Sequence, residues 1–232
     1  MQSVVLKRIR TNSCELRILR LLQSCTSQHS NHIIPLLEVV ERPREISTLV
    51  MPYYTPILEL SQGRAEELAL QLIRGVDWLH KQLISHSDIK ERNLVFDKKV
   101  NRLYIIDFGL AVKLNSREQE VQGACGTAGH VAPEVGIKSS WENGIEEVLV
   151  DEDSVYSPIL ADVWAVGDVI NHFHQRFGSS TKSIGTVVGK VATELRVDNP
   201  TKRLSLHTAE RRIVVACTAV GTMQRPPAIQ QQ

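Results

Sequence analysis

The stretch from His86 to Gly109 constrains this chain more than any other. Asp88, Lys90 and Asn93 are followed by two apolar segments, Leu94-Val95-Phe96 and Leu103-Tyr104-Ile105-Ile106, and then by Asp107. The apolar segments flank the polar run Asp97-Lys98-Lys99-Val100-Asn101, which reads as a β-hairpin. Residues two apart in an extended segment point the same way, so Asp88 and Lys90 face a common site. Asn93 and Asp107 are equally far from Val100 in the turn, which predicts that they lie across from each other at the hairpin's open end. One carboxylate, one amine, one amide and a second carboxylate thus converge from local geometry. An Asn and an Asp offering oxygens suit a hard cation such as Mg²⁺, which keeps waters and takes phosphate oxygens. Lys90 is placed to neutralise a transferring phosphoryl group, and Asp88 to accept or orient a hydroxyl proton.

The rest of the chain supplies a scaffold for that site. Val4-Val5-Leu6 reads as a strand ending at Lys7, and Thr11-Asn12-Ser13 offers N-caps for an amphipathic helix through Glu15, Leu16, Leu19 and Leu22. Strands are expected at Leu36 to Val40 and Ile46 to Met51. A packed helix follows from Ala65 to His80, with apolar residues at 3.6-residue spacing. After the hairpin come a long polar segment, an apolar helix from Val163 to Ile170 and shorter helical pieces. A small strand-rich half before a larger helical half predicts an α+β, two-lobed fold. The boundaries are expected at 1–53, 54–215 and a Gln- and Pro-rich tail, 216–232, that is expected to be disordered.

Composition narrows the functional classes. At 232 residues the chain can bury a substantial core, and a net charge of +1 gives no electrostatic argument for nucleic acid or an acidic membrane surface. The four cysteines form no CxxC pair, which argues against a zinc site or a disulfide framework. No secretory h-region fits the first ten residues, and the late apolar stretch from Ile213 is too short to span a bilayer. An intracellular protein, cytoplasmic or nuclear, is the expectation.

His86-Ser87-Asp88-Ile89-Lys90-Glu91-Arg92-Asn93, followed by Asp107-Phe108-Gly109, resembles the catalytic loop and metal motif of eukaryotic-type Ser/Thr protein kinases. The resemblance continues in order along the chain. Val4-Val5-Leu6-Lys7 is similar to the strand whose Lys holds the α- and β-phosphates, and Glu15 matches the helix Glu that pairs with it. Leu49-Val50-Met51-Pro52-Tyr53 resembles the gatekeeper and hinge, whose backbone holds adenine, so Met51 and Tyr53 are expected at the nucleotide. Gly126-Thr127 and Ala132-Pro133-Glu134 match the end of the activation segment, Asp162 to Gly167 the helix that follows, and Arg203 the partner of Glu134. Lys90 with Thr127 follows the Ser/Thr pattern, and the run Tyr156 to Asp162 looks most like divergent kinase-like proteins of fungi.

The resemblance implies ATP and Mg²⁺, with Asp88 and Lys90 catalytic, Asn93 and Asp107 on the metal, and Lys7 and Glu15 at the phosphates. It also implies structural roles for His86, Phe108, Asp162, Glu134 and Arg203. Four departures qualify it. No glycine-rich hairpin precedes Val4, so an N-terminally truncated small lobe without a roof over ATP is expected. Lys7 and Glu15 are only eight residues apart, which puts Glu15 in the first turn of its helix. Ser87 replaces the Arg that receives an activation-loop phosphate, so phosphate ordering of that loop is expected to be weak. An acidic insert, 141–153, expands a surface where a protein partner is expected to dock. The competing function is a pseudokinase that acts as a protein-binding or scaffold module. Gly185 to Lys190 is one residue short of a phosphate-binding loop, and Val191 stands where Ser or Thr is needed.

Overall fold

The computed structural model describes residues 3–25, 32–41, 46–61, 64–142 and 145–222. The β-branched run at the start forms β1 (Val4–Arg10), longer than the sequence suggested. Only three residues separate it from α1 (Cys14–Ser24), whose first turn is capped by Ser13 accepting from Leu16 N at 3.4 Å. Leu16, Ile18, Leu19 and Leu22 turn inward from α1. Strand β2 (Glu38–Glu41) starts later than expected: residues 32–34 bond to Ile105, and only from Leu37, whose N–H donates to Val50 O at 2.8 Å, does the chain meet the next strand. Ile105 N donates to His32 O at 2.8 Å, and Ile34 N donates to Ile105 O at 3.1 Å; Pro35 has no N–H to give a ladder. Strand β3 (Ile46–Pro52) lies between β1 and β2, with Lys7 opposite Leu49.

The chain then crosses through β4 (Thr55–Pro56) into the helical part. Helix α2 (Ala65–Lys81) buries Leu68, Leu72, Ile73, Val76 and Leu79 along one face. Beyond β5 (Ile84–Ser85), the hairpin β6 (Leu94–Asp97) and β7 (Arg102–Ile105) pairs with β4 in a three-stranded sheet. Its register pairs Leu94 with Ile105, so Asn93 lies opposite Ile106 and not Asp107. The loop holds four residues between Asp97 and Arg102, so the hairpin's centre falls before Val100 and the expected pairing moves by one.

Two small ribbons, β5 with β8 (Val112–Lys113) and β9 (Val121–Gln122) with β12 (Val155–Tyr156), tie the next segment down. Between them the segment expected to be a polar loop forms a second hairpin, β10 (Ile137–Glu142) and β11 (Ile145–Val150). The acidic insert therefore includes a strand. The sequence signal is Asn143-Gly144, a favoured hairpin turn composition, followed by a segment holding Ile145, Val148 and Val150.

Helix α3 (Pro158–Phe177) extends well beyond the expected 163–170. Ser157 caps it by accepting from Leu160 N, Pro158 opens it, and Gly178 follows its last residue. Helix α4 (Lys182–Leu195) crosses α3 closely. A Cβ on Gly167 would lie 2.7 Å from Leu195 Cβ and 3.0 Å from Ala192 O. The last helix, α5 (Leu206–Ala219), runs past residue 215 because Ile213 and Cys217, one turn apart, are both buried. Residues 216–219 are thus helical; 223–232 of the expected disordered tail lie outside the described residues. One continuous core joins α1, the two three-stranded sheets and helices α2 to α5, and a second small cluster around Ala132, Val135 and Tyr156 packs against β9 and β10, giving an α+β fold with a sheet-rich N-terminal part and a helical C-terminal part.

Candidate active site

The scaffold of the site is the carboxylate of Asp162, in the first turns of α3 and 1% exposed. Its Oδ2 accepts from His86 N at 2.8 Å and Ser85 Oγ at 2.9 Å, and lies 3.1 Å from His80 Nε2; its Oδ1 accepts from Ser87 N at 2.9 Å. Burial pushes the carboxyl up, but His80 and the donors from the loop outweigh it and hold Asp162 below the ordinary carboxylate range. With its two backbone N–H groups so fixed, the loop can turn sharply. Ser87 takes a φ of 60°, a left-handed conformation uncommon for a residue with a Cβ.

His86 is oriented by its own bonds. Its Nε2 meets Ile106 O at 3.0 Å and its Nδ1 accepts from Asp88 N at 3.3 Å, which assigns the proton to Nε2 in a neutral ring. Burial keeps it neutral by lowering its pKa. The ring meets the edge of Phe108, fully buried, at 4.9 Å between centroids. Both are packing residues beneath the site.

Above them Asp88 is surrounded by donors. Lys90 Nζ donates to both of its oxygens, at 3.0 and 2.8 Å, and also to Thr127 Oγ1 at 2.6 Å. Thr127 Oγ1 donates to Asp88 Oδ1 at 2.7 Å. Asn93 Nδ2 donates to Asp88 Oδ2 and to its backbone carbonyl, each at 2.8 Å. The side chains of Asp88 and Lys90 are 10% and 14% exposed, enough for contact with a ligand. Thr127, which the sequence marks as part of the activation segment and of the Ser/Thr pattern, places its hydroxyl as a fourth member of this cluster.

In the sheet-rich part, Lys7 Nζ lies 2.7 Å from Glu15 Oε1 and 2.7 Å from Asp107 Oδ1. The short β1–α1 connection places Glu15 in the first turn of α1, where negative charge is favoured. Burial pulls the Lys7 amine down, yet the two carboxylates prevail and hold its pKa above the usual value. Asp107 answers in the opposite sense, because burial raises it but Lys7 lowers it further. Asp107 has a φ of 64°, and this turn swings its carboxylate toward Lys7 although the hairpin register does not pair it with Asn93. Gly109 packs beside it, and an added Cβ there would sit 3.2 Å from Asp107 Oδ1.

A cleft of about 520 Å³ is lined by Lys7, Glu15 and Asp107 and walled by Val5, Leu19, Met51, Tyr53, Val95 and Phe108. An apolar chamber with charged groups in its lining suits a flat apolar ring carrying an anionic tail. Met51, in β3 opposite Val5, lines it as the sequence suggested. Tyr53 also lines it, but its N–H donates to Ser3 O at 2.9 Å, because β1 pairing continues into the connection. In this arrangement Tyr53 supplies wall and not a donor. Tyr54 was missed; it stacks on Tyr104 with centroids 4.9 Å apart, and burial beside that ring pushes its hydroxyl up to about 12.

The donor set fits a metal that a phosphate helps to hold. Among the described residues no group of three or more His, Cys, Asp or Glu is placed to bind a metal by itself. With Nδ2 of Asn93 committed to Asp88, its remaining polar atom is the amide oxygen. Asp107 is 48% exposed, and the bonds from Lys7 and Gly109 both use Oδ1. Two oxygen ligands with room for water and phosphate oxygens match the habit of Mg²⁺.

Farther out, Arg203 holds Glu134 bidentately at 2.5 and 2.7 Å and donates to the carbonyls of Leu160, Val197 and Asp198. Its side chain is fully buried. The pair ties the segment containing Thr127 to the helical part. Cys125 is no reactive centre, since burial and the nearby Asp88 push its thiol up.

Comparison with known proteins bears on this geometry. Residues 2–176 match the family model described as protein kinase domain. An SNF1-related protein kinase catalytic subunit alpha of Arabidopsis thaliana is 34% identical over 130 residues, 52% of this chain and 24% of that protein. A CBL-interacting serine/threonine-protein kinase of the same plant is 35% identical over 114 residues, 48% of this chain and 23% of that protein. The fatty acyl-CoA synthetase and RNA processing-associated kinase 1 of Saccharomyces cerevisiae is 27% identical over 164 residues, 67% of this chain and 17% of that protein. The chain thus spans about a quarter or less of the length of these relatives. It belongs to the protein kinase domain family, with relatives of the eukaryotic Ser/Thr type.

Proposed function

We propose that the chain transfers the γ-phosphoryl group of ATP to a Ser or Thr hydroxyl of a protein substrate. The observation that carries this is the cluster around Asp88. Its carboxylate is held by Lys90, Thr127 and Asn93 at 2.7–3.0 Å, while the site stays open to a ligand. In that position Asp88 orients an incoming hydroxyl and takes up its proton, and Lys90 offsets charge on the transferring group. Lys7, fixed by Glu15, holds the nucleotide's phosphates at the charged lining of the cleft, and the apolar walls take the base. Asn93 and Asp107 would hold Mg²⁺, which when bound neutralises phosphate charge. The expected result is Mg·ATP-dependent labelling of a protein or peptide hydroxyl that Asp88→Asn abolishes. No transfer by wild type, and no thermal shift from Mg·ATP, would overturn this reading.

A second reading, a pseudokinase that binds proteins, is favoured by one observation. Asp107 and Lys7 already satisfy each other at 2.7 Å, and the Tyr53 N–H is already used. Under either reading the β10–β11 hairpin is a place for a protein partner, since Val148, Leu149 and Val150 are each about half exposed there.

A further inference from the structure

The loop that delivers Thr127 to Asp88 is itself tied down three residues later, by His130. His130 N donates to Thr127 O at 3.0 Å, closing a turn, so movement of one residue moves the other. The His130 imidazole faces Asp168 of α3, with Nδ1 3.8 Å from Asp168 Oδ2. At that separation a neutral ring gains no hydrogen bond, and Nδ1 is indeed covered from solvent without a hydrogen-bond partner. An imidazolium, by contrast, gains an ion pair with a carboxylate only 6% exposed. Asp168 is kept in place by Arg196, whose guanidinium lies 3.2 Å from the other oxygen and over the Trp164 ring. The remaining charges facing His130 come from the catalytic turn: Glu91, itself paired with His172, and Lys90.

We propose that His130 is a positioning residue whose protonation, through Asp168, fixes the Gly126–Ala132 loop and with it Thr127 against Lys90 and Asp88. The inference rests on the phosphotransfer reading of the Asp88 cluster. The electrostatics agree in sign. Asp168 and Glu91 outweigh burial and Lys90, so the His130 pKa stands above that of a free imidazole. A contact that needs the charged ring is complete below the ordinary histidine value and is lost as pH rises through the raised one. Substrate engagement that depends on Thr127 should weaken as pH rises through that raised pKa.

The test pairs a structural readout with a kinetic one on the full chain. NMR titration of His130 should give a pKa above that of a free histidine, and Asp168→Asn should return it to the ordinary value or below. Peptide KM should rise about fivefold across that titration in wild type, with kcat less affected, and the rise should be absent in His130→Gln. His130→Arg, charged throughout, should hold the low-pH KM to higher pH. An ordinary or lowered His130 pKa overturns the proposal, as does a wild-type KM profile that His130→Gln leaves unchanged. If no peptide is phosphorylated at any pH, the phosphotransfer reading fails, while the titration still decides whether the His130–Asp168 tether exists.

Discussion

Replacing Asp162 tests how the catalytic turn is held. Four donors converge on this one carboxylate: two backbone N–H groups, the Ser85 hydroxyl and His80 Nε2, at 2.8–3.1 Å. Asp162→Ala leaves three of them, the His86 and Ser87 N–H groups and His80 Nε2, without their acceptor, while Ser85 Oγ can still donate to Pro158 O at 3.2 Å. At ~1 kcal/mol for each donor left unsatisfied the loss is about 3 kcal/mol. For a chain of this length that lowers the midpoint of thermal unfolding by about 6–12 °C. Asp162→Asn is a graded version. Its amide oxygen at the Oδ2 position keeps three of the bonds, but its NH₂ group meets the Ser87 N–H donor to donor, and about 2 kcal/mol is lost. Circular dichroism melts and urea titrations of the three proteins measure both values. A Tm of Asp162→Ala within 2 °C of wild type would refute the reasoning, and so would equal losses in the two variants.

Arg203→Ala strips Glu134 of its bidentate partner and removes the donors to Leu160, Val197 and Asp198, so urea unfolding should show a loss of ~3–5 kcal/mol. Acid should also destabilise the protein in a traceable way. Asp107 and Asp162 are both held below their ordinary values, so their stabilisation is present above the unfolded carboxylate pKa and lost as pH falls through the lowered folded ones. The Tm should therefore drop below about pH 4, and Asp162→Asn should flatten the drop; an unchanged acid limb would contradict this. Gly109→Ala presses a methyl on Asp107, with 3.2 Å to its Oδ1, and should weaken Mg·ATP binding by about tenfold in calorimetry while leaving the melting point nearly unchanged.

The site was legible in the sequence where it depends on local spacing. Asp88 and Lys90 share a side because the segment is extended, and Lys7 reaches Glu15 because three residues after β1 suffice to start a capped helix. Where spacing fails, tertiary contacts decide. Asn93 and Asp107 do not face each other in the register; a left-handed turn at Asp107 and the pull of Lys7 bring that carboxylate in. Tyr53 loses its N–H to Ser3, a pairing that no local pattern announces. The second hairpin is faint in the sequence because Ile137–Glu142 and Ile145–Val150 carry polar and acidic residues with no strict apolar alternation. Apolar periodicity marks only the middle of helix α3; its ends are set by Ser157-Pro158 at the start and Gly178 after the last residue.

The central claim is that the Asp88 cluster performs phosphotransfer. Its most direct measurement is transfer of labelled phosphate from Mg·ATP to a Ser- or Thr-containing protein substrate by the purified chain, with Asp88→Asn beside it. The account predicts labelling of a hydroxyl by wild type, its loss on chelating Mg²⁺, and a fall of at least about 10²-fold in the variant. Labelling that persists at the wild-type rate in Asp88→Asn, or its absence in the wild type, would contradict it.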